Sequence, residues 1–149
     1  MNARAAVDAG VVAGVLATAA QIALWWIWQD DLPRILYRDA RLTAAIVMGH
    51  SVLPPPATFA WDVMLVATLI HFALAITYSM LLACLISRFG MLRSVLAGML
   101  YGLILYGINM HGFTLIFPWF AQVRDWITLI THAVFGVALA GAYKVLSSP

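Results

Sequence analysis

Residues 63–87 read VMLVATLIHFALAITYSMLLACLIS, 25 positions without one charged side chain. A helix rises about 1.5 Å per residue, so about 20 residues cross a hydrocarbon core about 30 Å thick. Lipid offers the backbone no hydrogen-bond partners, and a helix satisfies them internally. The stretch therefore reads as a membrane-spanning helix. Three more charge-free runs surround it: Ala9–Gln29, Ser94–Val123 and Trp126–Tyr143. The run from Ser94 is too long for one straight span, and its helix is expected to end near Phe117, because Pro118 cannot continue the ladder. The predicted fold is all-α, an integral membrane four-helix bundle. It forms a single transmembrane domain over 1–149, with spans at about 9–29, 63–87, 94–117 and 126–144.

Composition agrees. Of 149 residues, 64% are hydrophobic and 9% charged, against roughly 45–50% and about 25% in a soluble domain. This excludes an ordinary soluble enzyme and a disordered chain. With a net charge of +2 and no basic run, a nucleic-acid partner is not expected. The single cysteine, Cys84, excludes an internal disulfide framework, a CxxC redox pair and a cysteine-rich metal site; it reads as a small apolar packer. Arg4 and the Ala17-Thr18-Ala19 stretch mimic a signal peptide, but the apolar run continues through Ile22, Leu24 and Trp26. Cleavable segments are shorter, so an uncleaved first span is expected.

The loop 30–62 holds more than a linker. Asp31 and Pro33 suit a helix start. Arg34, Arg38 and Arg41 recur on one face, and Ile35, Leu42 and Ile46 on another. This predicts an amphipathic interfacial helix at about 33–48 with its arginines outward; a solvated connector is the alternative. Pro54-Pro55-Pro56 ends it as a stiff extended piece. All six tryptophans fall near one membrane face and read as an interfacial belt. Basic residues divide four against four between the two sides. Arg88 and Arg93 in the shortest loop favour both termini on the cytoplasmic side.

The chain also resembles a duplicated helical hairpin. Val12-Ala13-Gly14-Val15-Leu16 is echoed by Leu96-Ala97-Gly98-Met99-Leu100, and Thr68-Leu69-Ile70-His71 by Leu129-Ile130-Thr131-His132. Both hairpins would have one orientation, so a symmetry axis would run along the membrane normal. Gly10, Gly14 and Thr18 share a face of the first span, Ser94, Gly98 and Gly102 a face of the third, and Gly136 repeats the pattern on the fourth. Small residues at this spacing let helices approach closely in lipid; these positions are expected to be packing sites.

Intramembrane ionisable groups mark functional sites by default. His71, His111 and His132 are expected at one depth, in the leaflet of the tryptophans. Asp125 lies two helical turns before His132, with Thr128 between them. Three readings stay open. The histidines hydrogen-bond neighbouring helices and do no more. Alternatively, His71, His111, His132, Asp125 and Thr128 form a polar site for a proton, a cation or a small solute, with His71 and His132 as candidate metal ligands. In the third, His71 and His132 ligate a haem b from facing helices, as in four-helix membrane cytochromes. Asn109 falls on another face from His111 and suits helix–helix hydrogen bonding; His50 reads as a loop histidine.

No GxSxG, HExxH, P-loop or dinucleotide-binding glycine pattern occurs. The chain has no glutamate, which small multidrug exporters need in the membrane, and no GNxxG signature of fluoride channels. The pattern of Ala13-Gly14, Ala97-Gly98 and the His132-to-Gly136 step resembles small four-helix bacterial inner-membrane proteins of unknown function, the YagU-like group. That resemblance implies this fold and a location in a bacterial inner membrane. It implies no activity, and the sodium:proline symporter label sometimes given to such sequences does not fit, since genuine sodium–solute symporters have many more spans. The expected function is a small transport or permeation module. The alternatives are an accessory subunit of a larger membrane complex and a haem-binding electron carrier. Four short spans enclose little space, so a homo-oligomer or a larger partner is expected.

Overall fold

A computed structural model describes residues 1–29 and 31–147. Asp30, the first residue of the expected loop, and the last two positions of the 1–149 domain lie outside the described residues. The described residues form helices and connecting turns, with no strand among them. Five α-helices occur in order: α1 (Ala3–Trp28), α2 (Arg34–Met48), α3 (Trp61–Ile86), α4 (Met91–Gly107) and α5 (Trp126–Leu146). Four helices are long and apolar enough to cross a membrane: α1, α3, α5, and α4 with its continuation to Leu115. The protein is an all-α four-helix bundle of two hairpins, α1–α3 and α4–α5, with the amphipathic α2 after the first span.

Its interior is built from small residues. Ala5, Ala6, Ala9, Ala13, Ala83 and Ala140 are buried, while Val15, Leu16, Leu69, Leu85, Leu96 and Leu100 point outward. A soluble core is the reverse. In lipid no hydrophobic effect separates leucine from its surroundings, so association depends on close backbone packing. A Cβ on Gly10 would come within 2.9 Å of the Ile76 Cα. A Cβ on Gly98 would run into the Gly136 carbonyl, one on Gly136 into the Gly98 carbonyl, and one on Gly102 into the His132 carbonyl. Ser94 is fully buried at the start of α4. The two hairpins share a crossing register: Gly14 faces Ala75 as Gly98 faces Gly136, and Thr18 faces His71 as Gly102 faces His132.

The likeness stops at the hairpins. α5 lies centrally, packed along both α1 and α4, whereas α3 packs along α1 and meets α4 and α5 only lightly. The α3–α4 approach is spanned by tyrosines instead: Tyr101 Oη donates to the Tyr78 carbonyl at 3.0 Å and Tyr78 Oη to Asn109 Oδ1 at 2.8 Å. At the termini end the bundle is solid around Leu82, Ile86, Leu139 and Tyr143. Ser79 Oγ there donates to the Ala6 carbonyl at 2.5 Å.

Three expectations need refining. The helical run of the third span ends at Leu115, close to the expected Phe117, but it is regular only to Gly107; a π-helical turn (Ile108–Gly112) and a 3-10 turn (Phe113–Leu115) complete it, and Pro118 begins another 3-10 stretch. The Arg124 guanidinium donates to the Met110 carbonyl and to Thr114 Oγ1, supplying partners that the ladder no longer provides. The arginines of α2 do not all face outward. Arg34 is exposed, but Arg38 Nε bonds Asp39 Oδ1 at 2.8 Å and Arg41 clasps the loop through the Val52 and Thr58 carbonyls. Trp25 does not belong to the belt: it is 3% exposed, packed with Ile35 and Ile127, while Trp26, Trp28, Trp61 and Trp126 are exposed at the same end of the bundle.

The glycine contacts give the first test. Gly136→Ala is expected to destabilise the detergent-solubilised protein by about 1–3 kcal/mol, the usual cost of overpacking. Gly141→Ala, whose Cβ meets nothing within 4 Å, is expected to change stability by less than about 0.5 kcal/mol. Equal thermal midpoints for the two variants would contradict this packing.

Candidate functional site

α2 roofs the bundle at the tryptophan end. Its amphipathic stripe dictates the placement: Ile35 packs against Trp25 and Ile127, Leu42 against Met110 and Val123, and Ala44 against Val63 and Ala67. Trp119 Nε1 donates to the Leu42 carbonyl at 2.9 Å, tying the 118–123 segment to the same helix. Beneath this roof lie two adjoining cavities, of about 210 Å³ and 540 Å³. Thr18, Gln21, Thr43, His71, Met110 and His132 line both. The smaller reaches down to Tyr78 and Phe135, between α3 and the α4–α5 pair. The larger extends under α2 past Asp39 and out between α1 and α3.

His71 projects from α3 onto the small-residue face of α1. Its Nε2 lies 3.3 Å from both the Gly14 carbonyl and Thr18 Oγ1. A carbonyl oxygen only accepts, so Nε2 carries the proton in this arrangement. His132 sits on α5, with Nδ1 2.8 Å from the Thr128 carbonyl and Nε2 3.3 Å from Asn109 Nδ2. By the same reasoning Nδ1 donates and Nε2 accepts. A directed line results: Tyr78 donates to Asn109, Asn109 to His132 and His132 to Thr128.

The structure brings together His71, His132 and Thr128, which all line the larger cavity. It does not bring His111 to them: that side chain is exposed within the π-helical turn, with its ring 5.8 Å from Tyr106. Asn109 and Met110 face inward instead; Asn109 stands two turns after Gly102, on the face of the helix that meets α5. Asp125 is the N-cap of α5, accepting from the Thr128 backbone N–H at 2.7 Å, and does not line either cavity. Thr18, counted as a packing residue, is also a cavity wall.

Asp39 is the functional candidate that the sequence reading missed. It lies one turn after Ile35 on the stripe that continues to Leu42 and Ile46, and an acid on an apolar stripe was the available signal. Burial raises its carboxyl from the ordinary 3.8 to about 6, against the opposing pull of the adjacent Arg38 guanidinium, and Asp125 adds a smaller push upward.

Among the described residues, no group of three or more His, Cys, Asp or Glu side chains is placed to hold a metal ion. Ligation of a metal or haem through Nε2 of both His71 and His132 would break the contacts to Gly14, Thr18 and Asn109. No protein-family model, curated protein or solved structure matches the chain.

The raised Asp39 value fixes a pH dependence. Between about pH 4 and 6 the folded chain binds more protons at this site than the unfolded chain, so its contribution to stability falls as pH rises through that window. Asp39→Asn is expected to raise the thermal midpoint relative to wild type more at pH 7.5 than at pH 4. A difference independent of pH would show that the carboxyl is ordinary.

Proposed function

We propose that the protein is a small membrane transport or permeation module, with the cavity pair under α2 as its substrate site. What carries the reading is the convergence of His71 from α3 and His132 from α5 on both cavities, with Asp39 added from α2. Such groups are costly at membrane depth and are retained where they bind or relay something. The Tyr78–Asn109–His132–Thr128 line holds the His132 ring in place along one wall, and the cavities suit a cation or a small solute. The site is closed towards the termini by the packed core around Leu82 and Leu139. Passage then requires α3, lightly held by α4 and α5, to move against them.

The setting that goes with this proposal is a bacterial inner membrane with both termini cytoplasmic, the lipid bilayer as surroundings, and a second copy or a larger membrane complex as partner. Kinship with the YagU-like proteins is part of the same proposal. It is supported by Gly14, Gly98 and Gly136, which all lie at helix contacts.

Purified protein in liposomes is expected to pass protons or a small solute above background, and His132→Ala to bring that flux down at least severalfold while the protein stays inserted. Background flux for correctly inserted wild type would end the proposal. One observation favours a second reading: each imidazole bonds another helix, His71 to the Gly14 carbonyl and His132 to Asn109. As an accessory subunit whose histidines only fasten helices, the protein would co-purify with larger partners, and His71→Ala would lower stability alone.

A further inference from the structure

The chamber under α2 is rich in hydrogen-bond acceptors and short of donors. Among the described residues, no Arg or Lys lines either cavity. The hydroxyls have spent their protons inside the chain. Thr43 donates to the Asp39 carbonyl at 3.0 Å, Thr68 to the Met64 carbonyl at 2.8 Å, and Thr131 to the Thr128 carbonyl at 3.1 Å. Tyr78 donates to Asn109. Their oxygens keep accepting lone pairs. His71 has committed Nε2 as a donor to α1, which leaves Nδ1 as a bare acceptor.

Three groups from three helices line the larger cavity with no partner for the atom they offer: the Gln21 amide of α1, Asp39 Oδ2 of α2 and His71 Nδ1 of α3. Gln21 stands one turn after Thr18, the residue that meets His71. Arg38 takes the other Asp39 oxygen, Oδ1, and lines a separate surface groove with Arg34 and Gln122. None of the three free groups is sealed in. Among the described residues, the unpartnered side-chain atoms buried beyond reach are the Trp25 indole nitrogen and the Ser94 hydroxyl. The free atoms of Gln21, Asp39 and His71 therefore keep surface that a guest can touch.

Such a guest has to bring donors. An anion finds no basic side chain here, and a guest that only accepts leaves Asp39 Oδ2 and His71 Nδ1 unanswered. A bare metal ion is not provided for, since no group of three or more His, Cys, Asp or Glu among the described residues is placed to hold one. The larger cavity, at about 540 Å³, has the size of a small-molecule site. Phe72 and Phe120 line it, and aromatic faces attract cations. An ammonium group carries three N–H donors and no acceptor.

We infer that the chamber binds a small organic amine in its ammonium form, which donates to Asp39 Oδ2, His71 Nδ1 and the Gln21 amide oxygen and rests its apolar body against Phe72 and Phe120. This names a substrate class for the transport reading. It rests on that reading for passage across the membrane and not for binding.

The full chain in lipid nanodiscs is titrated with tritiated phenethylamine at pH 7.5, where Asp39 is ionised, and binding to empty nanodiscs is subtracted. Saturable binding is expected, displaced by unlabelled phenethylamine. Phenethyl alcohol, phenylacetate and the trimethylammonium analogue, which keeps the charge without N–H donors, are expected to displace at least about tenfold less well. Asp39→Asn is expected to weaken binding at least about tenfold, the worth of a charged hydrogen bond. Gln21→Leu keeps the bulk of the side chain, guards against a folding defect in the first variant, and is expected to weaken binding about fivefold. Absence of saturable binding to wild type would overturn the inference, as would equal displacement by the alcohol or unchanged affinity in Asp39→Asn. Saturable amine binding with background flux in liposomes would keep the ligand class and remove transport. Flux of protons or another solute without amine binding would remove the ligand class alone.

Discussion

Backbone contact between helices is the constraint that governs this bundle. Gly98, Gly102 and Gly136 let α4 and α5 meet carbonyl to Cα, and Gly10 does nearly the same for α1 and α3, while Gly14 makes room for the His71 and Phe72 rings. In water, burial of leucine and phenylalanine would assemble such helices. In lipid that force is missing, so shape at the crossing decides which helices pair and in what register. Alanine takes the inside and leucine the outside.

That register positions the chemistry. Because Gly14 lies against His71 and Gly102 against the His132 backbone, each hairpin delivers its histidine to one end of the bundle. In the π-helical turn after Gly107, Asn109 keeps the face of Gly102 two turns earlier and meets His132, and His111 is left outside. Arg124, the residue before the α5 cap, bonds the Met110 carbonyl and holds the turn in place. Stability and site are therefore coupled: tight crossings at the termini end permit looser packing under α2, where the cavities lie.

Asymmetry between the hairpins makes the chamber. Two copies of one hairpin, related by an axis along the membrane normal, would pack α3 on α4 as closely as α1 on α5. Instead α1 and α5 are close, and α3 and α4 communicate through Tyr78, Tyr101 and Asn109. α2, present only in the first hairpin, covers the resulting space and contributes Asp39.

By itself the sequence determined the four apolar helices and the glycine faces, and it offered the amphipathic helix at about 33–48 beside a solvated connector as the alternative. Length without charge, a helical period of apolar residues and the spacing of small residues are local properties that no tertiary contact has to supply. It also pointed to His71, His132 and Thr128, since a polar group inside an apolar run stands out. Only the tertiary structure decided what depends on where helix faces end up. The packing of α4 on α5 leaves His111 outside, the capping geometry takes Asp125 out of the chamber, and the fold of α2 over the bundle turns Asp39 and Trp25 inward. A helix one residue out of register, or a roof helix lying flat instead of packed, would have left the same sequence with a different site. Those choices are made by contacts between segments far apart in the chain.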